Sequence, residues 1–237
     1  MGTPDGLAGL DVVILAGGRG TRLQSVPGDI PKPLRPVNGR PFLSYLVEQV
    51  RGAGARRVLL SLGHHPDAFR DFAAREGVET SVEPAPLGTG GGLRTALPLL
   101  RTETILAMNG DSYASVDLAL LAALHRRRKA RATMLLADVP DASRYGRVEI
   151  DDEGAVLRFA EKGEAGPGLV NAGVYVLQRS VLAEIPEGRE VSLERETLPS
   201  LVGTGFFGEP GTFAFMDIGT PESYAASSEF FQRARSR

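Results

Sequence analysis

Between Asp11 and Asp111 the chain repeats one pattern: a short apolar, β-branched run that stops at a glycine or a polar residue, then a stretch with helical spacing. Asp11 to Ala16 runs into Gly17 and Gly18, Arg57 to Leu62 into Gly63, and Thr104 to Met108 into Asn109-Gly110-Asp111. Runs without polar alternation read as strands covered on both faces, which is the environment of a parallel sheet. Between them, Phe42, Leu43, Leu46, Val47 and Val50 recur at helical spacing and stop at Gly52 and Gly54. Pro66 to Glu76 reads as a second helix closed by Gly77, and Val82 as the start of a third extended piece. A glycine cluster, Gly88 to Gly92, then precedes a helix over Leu93 to Leu100, and Leu118 to Leu124 forms another. Strands alternating with helices predict right-handed crossovers and an α/β fold with a mostly parallel central sheet. Ligands in such folds sit beyond the carboxyl ends of the strands.

After Thr133 the texture becomes mixed. Thr133 to Val139 reads as a strand, and Arg147–Ile150 and Val156–Phe159 flank Asp151-Asp-Glu-Gly154 as a hairpin. Val174 to Leu177 extends again, short helices are predicted near 179–185 and 192–202, and Thr212 to Phe215 returns to strand. A helix begins at Pro221. No repeat, low-complexity segment or linker interrupts the chain, so residues 1–237 are expected to form a single domain of two halves meeting near residue 130.

Composition narrows the chemistry. A net charge of -2 leaves no global basic surface for nucleic acid, and no apolar run is long enough for a membrane span. The N-terminus lacks a basic region ahead of its apolar stretch, so a secretory signal is not expected and a cytoplasmic location is. With no cysteine, disulfides, thiolate metal sites and thiol nucleophiles are excluded together. His64 and His65 lack acidic neighbours, and His125 opens a basic run through Arg131 that reads as a solvated helix end. No Gly-x-Ser-x-Gly elbow offers a serine nucleophile.

The first strand opens into Leu15-Ala16-Gly17-Gly18-Arg19-Gly20-Thr21-Arg22. Glycines there allow backbone N–H groups to cradle a polyphosphate that arginines neutralise. The spacing fits neither a dinucleotide fingerprint nor a Walker A loop, because Leu23 and Arg22 stand where each would need glycine. A plain tight turn explains the glycines as well.

Further along stand Pro31-Lys-Pro-Leu34, Gly39-Arg-Pro-Phe42, Glu83-Pro-Ala-Pro-Leu-Gly-Thr-Gly-Gly91, Asn109-Gly-Asp111, Tyr145-Gly146, Glu161-Lys-Gly163, Asn171-Ala-Gly173 and Asp217-Ile-Gly219. In this order the set resembles the sugar-1-phosphate nucleotidylyltransferases, or NDP-sugar pyrophosphorylases, over nearly the whole chain. Within them it looks most like the D-glycero-α-D-manno-heptose 1-phosphate guanylyltransferases, and also like short mannose-1-phosphate guanylyltransferases.

The resemblance implies a Rossmann-like nucleotidyltransferase fold, with a nucleotide-binding half to about residue 130 and a sugar-binding half after it. It implies attack by a sugar 1-phosphate oxygen on the α-phosphorus of an NTP, expected to be GTP, with release of pyrophosphate. Arg22, Lys32 and Asp111 would be catalytic, and Asp111 and Asp217 would hold Mg2+. Leu15, Ala16, Gly17, Gly18, Arg19, Gly20, Thr21, Glu83, Gly88, Thr89 and Gly110 would meet the nucleotide. Arg19, at a variable position, is read equally as phosphate contact or exposed surface. Gly146, Glu161, Lys162, Asn171 and Gly173 would meet the sugar phosphate, with Tyr145 either stacking on the sugar or filling core.

Only three lysines occur among the 27 basic residues, and Lys32 and Lys162 fall at the two places where the family pattern has lysine. Random placement would do this in about one arrangement in a hundred. The expected partners are thus an NTP and a sugar 1-phosphate, with no nucleic acid and no membrane, and self-association into a homo-oligomer is compatible with the sequence. The chain ends without a β-helix, so the bifunctional acetyltransferase variants are not expected. The rival readings are a transferase for UTP, dTTP or CTP and a silent NDP-sugar sensor. A glycosyltransferase, the third, would lack its usual Asp-x-Asp.

Overall fold

A computed structural model describes residues 6–18, 30–143, 146–159 and 166–235. Its strands are β1 (Asp11–Leu15), the short pair β2 (Pro36–Val37) and β3 (Arg40–Pro41), β4 (Arg57–Leu62), β5 (Glu79–Val82), β6 (Thr104–Asn109) and β7 (Ser112–Ala114). The later half adds β8 (Ala132–Val139), β9 (Val148–Ile150), β10 (Val156–Phe159), β11 (Gly168–Gln178), β12 (Phe206–Gly211) and β13 (Phe215–Asp217). Seven of these form one sheet in the order β12-β8-β11-β6-β1-β4-β5. All run the same way except β11, which is antiparallel to both β6 and β8. Strands from before and after residue 130 therefore share one mostly parallel sheet, flanked by helices in an α/β fold.

Successive residues of each central strand enter opposite layers, as the pleat requires. Val12 and Ile14 pack with Leu60, Met108 and the helices α1 (Phe42–Gly52), α2 (Arg70–Glu76), α4 (Leu118–Arg128) and α7 (Pro221–Arg235). Val13 packs with Leu59, Ala107 and Tyr175 against α3 (Gly88–Ala96), α5 (Arg179–Glu184) and α6 (Leu198–Ser200). Leu43, Leu46 and Val50 are fully buried, and α1 joins the core along the stripe read from the sequence. Asp117 caps α4 by accepting from the N–H groups of Ala119 and Leu120, and Gly77 closes α2 in the left-handed region at φ 59°.

Several sequence expectations change. Val82 ends β5 instead of opening a strand. The glycine cluster is the first half of α3, not a loop before it, and the helix stops at Ala96 because Pro98 turns the chain into a 3-10 turn over Leu97–Leu99. The stretch near 192–202 is a π-helical turn (Leu193–Thr197) leading into α6. Extended structure returns at β13, slightly later than Thr212. β12, Phe-Phe-Gly-Glu-Pro-Gly, escaped notice because glycine and proline dilute its strand signal. It lies at the sheet edge, where Pro210 lacks no ladder partner that matters. His125 is wholly buried, not part of a solvated helix end. Its Nδ1 is 3.0 Å from Thr133 Oγ1 and its Nε2 3.0 Å from the Gln178 amide nitrogen.

Candidate active site

The carboxyl ends of β1, β4, β5 and β6 open together onto a crevice of about 590 Å³. Its walls include Leu15, Ala16, Gly17, Gly18, Lys32, Glu83, Gly88, Thr89 and Asp111, all expected from the sequence. Arg19, Gly20, Thr21, Arg22, Tyr145, Glu161 and Lys162 lie outside the described residues.

One end of the crevice is organised around the Glu83 carboxylate. Its Oε2 accepts the Leu87 N–H at 2.8 Å. A Cβ on Gly17 would stand 3.0 Å from Oε1, and one on Gly92 only 2.8 Å from it. Glycines thus make room for a carboxylate at the ends of β1 and β4. Burial pushes the Glu83 pKa up, and the Leu87 N–H partly offsets this. Ser61, the one hydroxyl in β4, faces the same space.

The opposite end is charged. Lys32 is only 9% exposed, and its Nζ lies 2.6 Å from Asp111 Oδ2. It is held there by a 3-10 turn, Lys32–Leu34, which Pro31 and Pro33 preset. Asp217 reaches this end through pairing: β13 runs antiparallel to β7 with Asp217 opposite Ser112, and the Ile218 N–H donates to the Asp111 carbonyl at 2.9 Å. The Gly219 N–H donates to Asp217 Oδ1 at 2.8 Å. A Cβ on Gly219 would stand 2.5 Å from that oxygen and 3.5 Å from Lys32 Nζ, so ammonium and carboxylate bound one small space. Two carboxylates from paired strands are a donor set that suits Mg2+, which keeps several waters. Among the described residues no group of three or more His, Cys, Asp and Glu converges.

Gly110, Gly88 and Gly173 have reasons other than contact with a ligand. The Gly110 N–H donates to the Leu15 carbonyl at 2.8 Å, and a Cβ would meet that oxygen at 2.7 Å. It therefore seals β6 to β1 behind the crevice wall. Gly88 adopts φ 74° with the Val191 carbonyl 2.6 Å from where its Cβ would be. That carbonyl accepts from the N–H groups of Gly90 and Gly91, so the start of α3 is capped by the chain itself. Gly173, at φ 74°, sits in a β11 bulge between Asn171 and Tyr175. Asn171 Oδ1 accepts the Gly173 N–H at 2.8 Å, and its Nδ2 donates to the Tyr175 hydroxyl at 2.7 Å. Gly146 is brought beside β11 by the bridge between Arg147 and Val170.

Pro33, Pro86, Asn109, Glu190 and Gly219 also line the crevice. Asn109 and Gly219 stood within recognisable motifs but had been given no role. Glu190 comes from a strap, 186–191, whose Gly188 marks a turn but in which no motif points to the crevice, and only the folded chain brings it near α3. Ser61 had a usable signal as a lone hydroxyl in the apolar run Val58–Leu62.

Residues 11–234 match the family model described as Nucleotidyl transferase. The chain is 39% identical over 228 residues to a mannose-1-phosphate guanylyltransferase of Mycobacterium tuberculosis, covering 92% of this chain and 64% of that protein. It is 31% identical over 222 residues to a D-glycero-alpha-D-manno-heptose 1-phosphate guanylyltransferase of Campylobacter jejuni, covering 91% and 97%. In structure it is similar to HddC from Yersinia pseudotuberculosis, with a TM-score of 0.84 at 36% identity over 94% of this chain and 99% of that one. That protein is also known complexed with GMP-PN. No helix among the described residues is long and apolar enough to cross a membrane. With a family match from β1 to α7 and a crevice at the carboxyl ends of its parallel strands, the chain belongs to the sugar-1-phosphate nucleotidyltransferase family.

Proposed function

We propose that the protein is a guanylyltransferase that joins GTP to D-glycero-α-D-manno-heptose 1-phosphate, releasing pyrophosphate and forming the GDP-sugar. The observation that carries the reading is a crevice with a half-buried carboxylate at one end and a lysine–aspartate pair at the other. Glu83, when ionised, can only accept hydrogen bonds, and the Leu87 N–H is its one hydrogen-bond donor among the described residues. Guanine presents two adjacent donors, N1–H and the N2 amine, which a carboxylate matches. Uracil and thymine present a donor flanked by acceptors, which it does not. The guanine nucleotide complex of the similar Yersinia protein agrees with this assignment.

The nucleophile, a sugar 1-phosphate oxygen, is already anionic, so no base has to activate it. Nothing here needs a histidine or a serine. The work left to the chain is alignment and charge neutralisation. Lys32, a compact cation held on a preset turn, is placed to neutralise phosphate once Asp111 takes another partner. Arg22 is proposed to act beside it. Asp111 and Asp217 would hold Mg2+, which when bound supplies charge neutralisation and orientation for the substrate phosphates. Asn171 and Gly173, with Gly146, Glu161 and Lys162, are proposed to face the sugar phosphate.

A second reading, mannose 1-phosphate as acceptor, is favoured by the 39% identity to the mycobacterial enzyme. Pyrophosphate release measured with four NTPs against heptose, mannose and glucose 1-phosphates separates the two. The proposal expects GTP with the heptose phosphate to give the highest kcat/KM. Preference for mannose 1-phosphate selects the second reading, and preference for UTP or dTTP overturns the guanine assignment.

A further inference from the structure

β4 carries a single hydroxyl, and the fold around it supplies no partner. Ser61 is 1% exposed; its neighbours Leu60 and Leu62 pack in the layer of α1, while Ser61 turns to the layer of α3. β4 is paired with β1 on one edge and β5 on the other, so the ladders take up the backbone groups beside it. Facing it on α3 is Gly92, which has no side chain to offer. Among the described residues nothing hydrogen-bonds Ser61 Oγ. A buried polar group left without a partner costs stability, and alanine would fill the same place without that cost. The hydroxyl opens onto the crevice, whose wall includes it.

Its position relative to Glu83 gives it a use. A Cβ on Gly92 would stand 2.7 Å from Ser61 Oγ and 2.8 Å from Glu83 Oε1, so the two oxygens flank one point on the wall. Gly17 and Gly92 clear the space around Oε1, while Oε2 is turned to the Leu87 N–H. From Leu87 towards β4 the wall therefore presents two acceptor oxygens and then a group able to donate. The Watson–Crick edge of guanine has the complementary order: the N2 amine, N1–H, and then the O6 acceptor. With the carboxylate taken by the two donors, O6 still needs a proton, and an ionised carboxylate has none to give. Water that serves Oγ in an open crevice is displaced once a base fills it, after which the hydroxyl bonds the base or goes unpaired.

We propose that Ser61 is a specificity-determining residue of the nucleotide site: its hydroxyl donates to the base carbonyl beside the N–H that Glu83 accepts, which in guanine is O6. The inference rests on the guanylyl transfer proposed above and deepens it. Adenine sets a bare acceptor against Oε1 and is refused by the carboxylate alone, so the role of Ser61 is read on the carbonyl itself.

The test combines Ser61→Ala with changes in the base. Pyrophosphate release by wild type and variant is measured with GTP, with 6-thio-GTP, whose sulfur is a poor acceptor, and with ITP, which keeps O6 and lacks the N2 amine. Ser61→Ala is expected to raise KM for GTP and for ITP about ten-fold each, while KM for the sugar 1-phosphate moves less than about two-fold. With 6-thio-GTP the two proteins should agree within about two-fold, because the partner of the hydroxyl is already gone. A second readout needs no turnover. Removing an unpartnered hydroxyl should leave the free protein melting no lower than wild type, and GTP alone should raise the melting temperature less in the variant. An unchanged KM for GTP, an equal penalty with GTP and 6-thio-GTP, or a penalty that vanishes with ITP would each overturn the inference. A Ser61→Ala protein that melts lower when free, or does not fold, would show that the hydroxyl serves the fold and would overturn it too. A wild type that prefers UTP defeats the guanine assignment; Ser61 is then judged in the same way with UTP and 4-thio-UTP, since uracil O4 also adjoins an N–H. A wild type inactive on every substrate pair defeats the proposed function and leaves the melting temperatures to decide Ser61; if GTP raises neither, the inference falls with it.

Discussion

Two side chains show how environment, more than identity, sets chemistry. Glu83 is an ordinary carboxylate for which the glycines around it make room, and its replacement by Gln, which tests the proposed recognition of guanine, changes hydrogen-bond polarity with little change in volume. Glu83→Gln offers one donor and one acceptor, which suits uracil and mispairs with guanine. It is expected to cut kcat/KM for GTP by about a hundred-fold and to narrow the gap to UTP, read by the same pyrophosphate assay. A variant with wild-type preference for GTP would place base recognition elsewhere. His125 is the opposite case, a titratable group kept silent. Burial, and secondarily Arg126, push its pKa down to about 4. Between pH 6.5 and 4 the unfolded chain therefore binds a proton that the folded chain refuses, and stability falls as pH falls through that window. The loss is of the order of 3 kcal/mol. Urea midpoints at pH 7.5 and 5 should differ in wild type, and His125→Gln should flatten the difference.

At the scale of the element, α3 departs most from what propensity alone would build. Glycine in a helix interior costs about 1 kcal/mol relative to alanine, yet Gly90, Gly91 and Gly92 follow one another. Each gives way to a neighbour. Gly90 admits the Val191 carbonyl, Gly91 admits Leu87 and the Arg189 carbonyl, and Gly92 admits Ser61 Oγ and Glu83. In Gly92→Ala the gain in helix propensity opposes a methyl group placed 2.7 Å from Ser61 Oγ and 2.8 Å from Glu83 Oε1. Crowding of that degree costs about 1–3 kcal/mol and should win. The expected result is a lower urea midpoint together with a raised KM for GTP, because Glu83 is what must move. Unchanged stability would show that Ser61 and Glu83 yield freely. The β11 bulge is a second such element. Pairing slips between Asn171 and Tyr175, Gly173 takes the positive φ, and Asn171 and Tyr175 come within hydrogen-bond reach of each other.

For the molecule as a whole, the sheet divides its duties between its two ends. At the amino ends of β1, β4 and β5, Asp11 is buried and tied to Arg57, which also binds Glu79 through both carboxylate oxygens. At the carboxyl ends lies the crevice. Its charged end joins Asp111 from the middle of the chain to Asp217 near its close, through the β7–β13 pair. Asp111→Asn and Asp217→Asn should each lower metal-dependent turnover at least about a hundred-fold with little change in melting temperature. Full activity in either would remove the two-carboxylate site. Much of this was legible beforehand, because apolar runs, glycines at strand ends and ordered short motifs are local signals. They marked β1, β4 and β6, the helices between them, and most of the crevice wall, down to Lys32 and Asp111. Other features carry no local signal. The helical state of Gly88–Gly92 depends on a carbonyl from Val191, and β12 gains its strand geometry from β8. The place of Glu190 in the crevice wall depends on a strap folding back over the start of α3. By itself the sequence determined the α/β class and the chemistry at the strand ends, since a strand's burial and a turn's glycine are properties of a few adjacent residues. Only the tertiary structure decided which way the buried hydrogen bonds run and which distant carboxylates meet, because those are settled by contacts between segments a hundred or more residues apart.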